Sequence, residues 1–193
     1  MNDLDPNFII DCFRDDDPTP QRFYVWDCTT KEDAANGKMD FEVRSSHTIP
    51  AETRHRFFNL KLEKLEEETW KIAWVSSRNP SNPAEKYEEV SGKGIPNFLL
   101  PEVARRYEIG SIRSGSNLVK PTSDPVAEQF NKAAKARGLS ISFDGGNQQS
   151  EPAAEMWRRL KKHLEDYPCE FFVKENEHEH FYEMVRRPKE EQV

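Results

Sequence analysis

The run with the clearest chemical meaning is Ser91-Gly92-Lys93-Gly94, set directly ahead of Ile95-Pro96-Asn97. Glycines let backbone N–H groups approach an anion closely, and a helix N-terminus carries about half a positive charge to hold it. Pro96 suits the first turn of such a helix. The GxxxxGK[ST] of a P-loop is absent, and the run does not complete the GxGxxG of a dinucleotide site. What remains is a pyrophosphate-binding turn of another sort. Just upstream, Glu88 and Glu89 have the right chemistry for a general base, with a solvated loop as the competing reading.

Other constellations are less complete. His178 and His180 share one face of an extended segment beside Glu175, Glu177 and Glu179, but no third histidine or cysteine lies near to finish a zinc site. A solvated edge strand is the reading taken for them, and no metal is expected. His47 and His55 have no obvious partner. Neither a GxSxG elbow nor an HExxH helix is present, and nothing local marks Cys28 as a nucleophile. Cys12, Cys28 and Cys169 are odd in number and widely spaced, which reads as reduced thiols in a cytoplasmic protein.

The elements that must position these residues follow from hydrophobic period and chain breakers. Phe8, Ile9, Ile10 and Phe13 suggest a short helical turn, stopped by Pro18 and Pro20, so residues 1–20 read as an N-terminal arm. Phe23 to Trp26 and Phe41 to Ile49 have strand composition, with the polar stretch Thr29 to Lys38 between them. Between Arg56 and Ser77, Phe58, Leu60 and Leu62 alternate with polar residues, and so do Trp70, Ile72 and Trp74 with theirs. Glu66-Glu67-Glu68 makes the turn, predicting an antiparallel hairpin with one buried face. Arg78 to Ala84 reads as a loop. A helix follows from Ile95 toward Tyr107, with a kink or two short pieces expected at Pro101. Ser111 to Ser114 reads as a short strand, Pro125 to Arg137 as a helix capped by Asp124, and Ile141 to Phe143 as a strand. A second strong helix runs from Pro152 to about Glu165, capped by Ser150, with Ala153, Met156, Trp157, Leu160 and Leu164 as its apolar stripe. Its basic run, Arg158-Arg159 and Lys161-Lys162, reads as a solvated face. Phe171 to Val173 and Phe181 to Val185 form a closing hairpin, and residues 188–193 a tail.

Composition narrows the function classes. The chain has 193 residues, a third of them charged, and a formal charge of −7. An acidic surface disfavours direct nucleic-acid binding, which draws on Lys and Arg for phosphate contacts. No apolar run is long enough to span a bilayer, and the opening residues lack the basic and apolar regions of a secretory signal. A membrane or classically secreted protein is therefore not expected. The fold expected is α+β, a single domain over residues 21–187 with a mixed, mainly antiparallel sheet flanked by helices.

This succession resembles the GCN5-related N-acetyltransferase (GNAT) superfamily: antiparallel strands, a Gly-x-Gly turn into a helix, a strand, a helix and a closing hairpin. The family's pyrophosphate loop is similar to Ser91-Gly92-Lys93-Gly94, and the start of its next helix to Gly94-Ile95-Pro96-Asn97-Phe98-Leu99-Leu100. Glu89 stands where that loop begins with Arg or Gln. Either Ala127-Glu128-Gln129-Phe130 or Ala154-Glu155-Met156-Trp157 matches the later helix, and Phe181-Tyr182-Glu183-Met184-Val185 looks like a closing strand. The resemblance implies acetyl-CoA as cofactor, its pyrophosphate on Ser91, Gly92, Lys93, Gly94, Ile95, Pro96 and Asn97. It implies transfer to a small-molecule or protein amine, with Glu88 or Glu89 as base. Phe130 and Trp157 occupy the places where a tyrosine acid is usual, leaving Tyr182, and then Tyr107, as proton donors. A bulky residue at Gly94 is expected to abolish CoA binding and leave the fold intact. The competing expectation is a non-enzymatic acidic protein that binds, or inhibits, a basic or nucleic-acid-binding partner.

Overall fold

The computed structural model describes residues 5–14, 17–47, 57–79, 82–114, 132, 136, 151–176 and 181–188. The chain divides into two compact units, Met1–Ile109 and Gly110–Val193. The fold class is α+β, and every described pairing within each unit is antiparallel.

In the first unit, β1 (Phe8–Arg14), β2 (Asp17–Asp27), β3 (Lys38–Arg44), β4 (Phe58–Lys64) and β5 (Thr69–Ser76) pair in chain order. The helical turn expected at Phe8 is a strand instead. Phe8, Ile10 and Cys12 are buried while Ile9 and Asp11 are exposed, a period of two that only a strand satisfies. Pro18 and Pro20, which exclude a helix, fall where the β1–β2 register shifts between Arg14↔Asp17 and Cys12↔Gln21. A bulge tolerates residues with no N–H to donate. The polar stretch after β2 holds a short helix, α1 (Lys31–Ala35). Its capping box is reciprocal: the Asp33 N–H donates to the Thr30 hydroxyl, and the Thr30 N–H to the Asp33 carboxylate.

The β4–β5 hairpin forms as its alternation requires, with one departure. Lys61 faces Trp74 but Leu62 faces Ile72, so Ala73 is an extra residue on β5. A bulge of this kind sends the following side chain to the opposite face. Trp70 and Ile72 are 8% and 7% exposed, whereas Trp74 is 56% exposed rather than sharing their buried face. The expected loop after β5 is partly a ribbon, β6 (Arg78–Asn79) against β7 (Asn82–Lys86).

α2 (Ile95–Arg106) is one continuous twelve-residue helix, so Pro101 neither splits it nor leaves the core. Ile95, Leu99, Leu100, Val103 and Ala104 are its other buried positions. It packs on β1, with Phe98 edge-on to Phe13 at 4.9 Å and the Arg106 guanidinium 4.6 Å above Phe8. At its end the Ile109 N–H donates to the Ala104 carbonyl while Glu108 takes a φ of 54°. That is the Schellman arrangement, with glutamate where glycine is usual.

The second unit contains β8 (Ser111–Arg113), α3 (Glu151–Asp166), β9 (Phe171–Asn176) and β10 (Phe181–Arg186), with β10 lying between β8 and β9. Trp157, Leu160 and Leu164 of α3 are buried, with Ala154 beside them, while Ala153 and Met156 are half-buried. Trp157 stacks on Tyr182 at 6.1 Å with 10° between the ring planes. Arg158, Arg159 and Lys162 of α3 face solvent, paired to acids along the helix, Arg158 and Arg159 with Glu155 and Lys162 with Asp166, while Lys161 of the same run is half-buried. Lys132 and Ala136, inside the helix expected over Pro125 to Arg137, are helical. The rest of that helix lies outside the described residues, as do its Asp124 cap, the Ile141–Phe143 strand, Ser150, His55, His178 and His180.

Candidate functional site: the glycine turn ahead of α2

Residues 87–94 connect β7 to α2, and local hydrogen bonds shape them. The Val90 and Ser91 N–H groups both donate to the Tyr87 carbonyl, at 3.0 and 2.7 Å. The Tyr87 side chain is buried. Gly92 and Gly94 then take φ values of 69° and 72°, a left-handed conformation that costs other L-residues roughly 1–2 kcal/mol. Gly94 is the N-cap of α2. It offers no capping side chain, and the first turn of α2 holds no acid. Among the described residues, no acceptor takes the backbone N–H groups of Gly92, Lys93, Gly94 or Ile95. The arrangement leaves a cluster of amide donors at the positive end of a helix dipole.

The two glycines are not equivalent. A Cβ on Gly92 would meet nothing within 4 Å, whereas one on Gly94 would lie 3.2 Å from the Phe13 carbonyl oxygen. Gly94 therefore has a packing duty against the end of β1, and Gly92 borders open space. Lys93 lies within electrostatic reach of Asp17. The Thr19 amide and hydroxyl, then Arg14 and Lys93, hold that carboxyl below its usual range.

Ser91, Gly92, Lys93, Gly94, Ile95, Pro96 and Asn97 form one contiguous turn and helix start, with Glu88 exposed and Glu89 half-buried just before them. Ile95 points into the core, and Pro96 has no N–H, so neither side chain is placed for polar contact. Tyr182 belongs to the second unit, on β10, its ring buried against Trp157. The Tyr107 hydroxyl donates to the Asp27 carboxylate at 2.5 Å, and its ring lies edge-on to Phe41 at 5.3 Å. Burial, that hydrogen bond and the Asp27 charge all push its pKa up, so this phenol is committed to the fold.

The thiols are all free. Burial, with help from Asp11, pushes Cys12 up to about 12. Partial desolvation, then Glu42, Asp40 and Asp27, push Cys28 up to about 11. Both are poor nucleophiles at neutral pH, since the thiolate is the reactive form. No group of three metal-binding side chains occurs among the described residues. No described helix is long and apolar enough to cross a membrane.

Two polar features escape the sequence pattern. One is the pairing of Ser77 with Ser91, fourteen residues apart, for which the sequence carries no signal. The other is Glu183, whose side chain is only 4% exposed and accepts from Arg113 Nε at 2.9 Å and Lys174 Nζ at 2.7 Å. Its one sequence signal is a single acid between Tyr182 and Met184 in an otherwise apolar strand.

Comparison with protein-family models, with curated proteins and with solved structures gives no match to this chain.

Proposed function

We propose that the chain is an acetyl-CoA-dependent acyltransferase acting on an amine, similar in plan to the GNAT superfamily. The observation that carries this reading is the turn at Gly92–Ile95. Two left-handed glycines deliver amide donors without acceptors among the described residues, at a helix N-terminus with no side-chain cap. Such a site suits a pyrophosphate, which brings negative charge and many acceptor oxygens. The element succession supports the same reading, since β3–β5, the turn, α2, β8, α3 and the β9–β10 hairpin follow in the order the resemblance requires.

In this reading the amine attacks the thioester carbonyl, the C–N bond forms and the C–S bond breaks. The amine proton passes to Glu88 or Glu89, directly or through water, and the departing thiolate takes its proton from water. The test is a thermal melt with excess acetyl-CoA, with ATP as control. Ligand at about 100 times its Kd stabilises by roughly 2.7 kcal/mol, which moves the melting point by a few degrees. A shift with acetyl-CoA and not ATP is expected. Glu88→Gln or Glu89→Gln should then lower kcat and spare acetyl-CoA affinity.

A second reading, an acidic non-enzymatic protein for a basic partner, draws on the β4–β5 turn. Glu66, Glu67 and Glu68 are all exposed there beside exposed Leu65. It calls for salt-sensitive binding to a cationic protein, and for no response to acetyl-CoA.

A further inference from the structure

We infer that Ser91 and Ser77 act together as a clasp that positions the glycine turn, and that Ser91 is a positioning residue rather than a contact for the bound anion. The inference rests on the acyl-CoA reading of that turn. Ser77 follows β5 directly, so its backbone is held by the end of a paired strand. Its carbonyl accepts the Tyr87 N–H at 3.1 Å. The Ser91 hydroxyl lies 3.1 Å from the same carbonyl and 2.9 Å from the Ser77 hydroxyl. Ser91 in turn donates its N–H to the Tyr87 carbonyl at 2.7 Å. The segment from Tyr87 to Ser91 is thus fastened at both ends to one residue of the sheet, and Gly92 begins immediately after the second fastening.

The consequence is geometric. Because the Ser91 hydroxyl is directed toward Ser77, the donors left for an anion are the amides from Gly92 onward. The clasp also restricts the chain just before two glycines that would otherwise sample many conformations. Fixing them in advance spares a ligand the ordering cost on binding.

The experiment is a double-mutant cycle on the full chain, with Ser77→Ala, Ser91→Ala and the double variant. Acetyl-CoA affinity is measured by calorimetry, alongside the urea midpoint and the hydrogen exchange of the Val90 and Ser91 amides. Ser91→Ala, which removes both contacts to Ser77, should weaken acetyl-CoA by about fivefold, the scale of one hydrogen bond, and Ser77→Ala by less, because the Ser77 carbonyl remains to accept from the Ser91 hydroxyl. The double variant should be no weaker than Ser91→Ala, because Ser77→Ala removes only part of the contact that Ser91→Ala removes whole. Ser91→Thr, which keeps the hydroxyl, should recover most of the affinity. Additive losses, or a loss in Ser91→Ala with the exchange of the Val90 and Ser91 amides unchanged, would mean direct contact with the ligand and overturn the clasp. If the wild-type chain binds no acetyl-CoA, the acyltransferase reading fails, and exchange decides the clasp by itself. Faster exchange in Ser91→Ala supports it, and unchanged exchange there overturns it.

Discussion

Replacing Gly92 and Gly94 separately by alanine distinguishes a glycine kept for a ligand from one kept for the fold. Both backbones are left-handed, so each alanine meets a conformational cost of roughly 1–2 kcal/mol. Part of it is offset, by about 0.4–1 kcal/mol, because alanine also restricts the unfolded chain. At Gly92 nothing further is added, since its Cβ would enter open space. The net loss for Gly92→Ala is therefore about 1 kcal/mol. At Gly94 the Cβ would press on the Phe13 carbonyl oxygen from 3.2 Å, a backbone atom that must shift to admit it. An overpacking cost of about 1–3 kcal/mol comes on top, for a net loss of about 2–4 kcal/mol. Urea unfolding measures both, and the midpoints should separate with m unchanged. Acetyl-CoA titration then runs in the opposite order: Gly92→Ala, nearly as stable as wild type, should lose the ligand response. Equal destabilisation of the two variants, or a larger loss at Gly92, would refute the reasoning. Bulk at Gly94 should cost stability as well as the ligand, because that glycine packs against the end of β1.

Glu183→Gln should destabilise the chain by about 1–3 kcal/mol at neutral pH, since it weakens the charge-assisted hydrogen bonds that the partly exposed Arg113 and Lys174 donate to a buried carboxylate. Burial alone would raise the Glu183 pKa, but hydrogen bonds from Lys174, Arg113 and Ser111 outweigh it and hold the carboxyl below its ordinary range. A depressed folded pKa gives stability that is present above the unfolded value, about 4.3, and lost as pH falls through the folded one. The gap between wild type and Glu183→Gln in urea should accordingly close in acid. Glu108→Gly should raise stability by about 0.5–1 kcal/mol by relieving a left-handed glutamate at the α2 terminus, read as a higher melting point. Trp157→Ala should cost about 3–5 kcal/mol, because the ring is fully buried and stacked on Tyr182. Chemical denaturation of the full chain checks it.

The sequence by itself determined the elements whose residues satisfy one period against one core. The β4–β5 hairpin was legible from Phe58, Leu60 and Leu62 opposite Trp70 and Ile72, and α3 from the spacing of Trp157, Leu160 and Leu164. The glycine turn before α2 was legible too, because glycine spacing reports backbone conformation directly. Tertiary structure decided what depends on partners distant in the chain. β1 reads as a strand only once β2 lies beside it, since four apolar residues within six fit a helical turn as well as a strand. Trp74 leaves the core because of a one-residue bulge, which period-two alternation cannot encode. Pro101 stays within a single helix because its ring is buried, a gain that local propensity does not count. At the candidate site, the duty of Gly94 toward the Phe13 carbonyl, the Ser77–Ser91 pairing and the capture of Tyr107 by Asp27 all join residues far apart in sequence. Such contacts come into being only when the chain folds, and local spacing carries no physical trace of them.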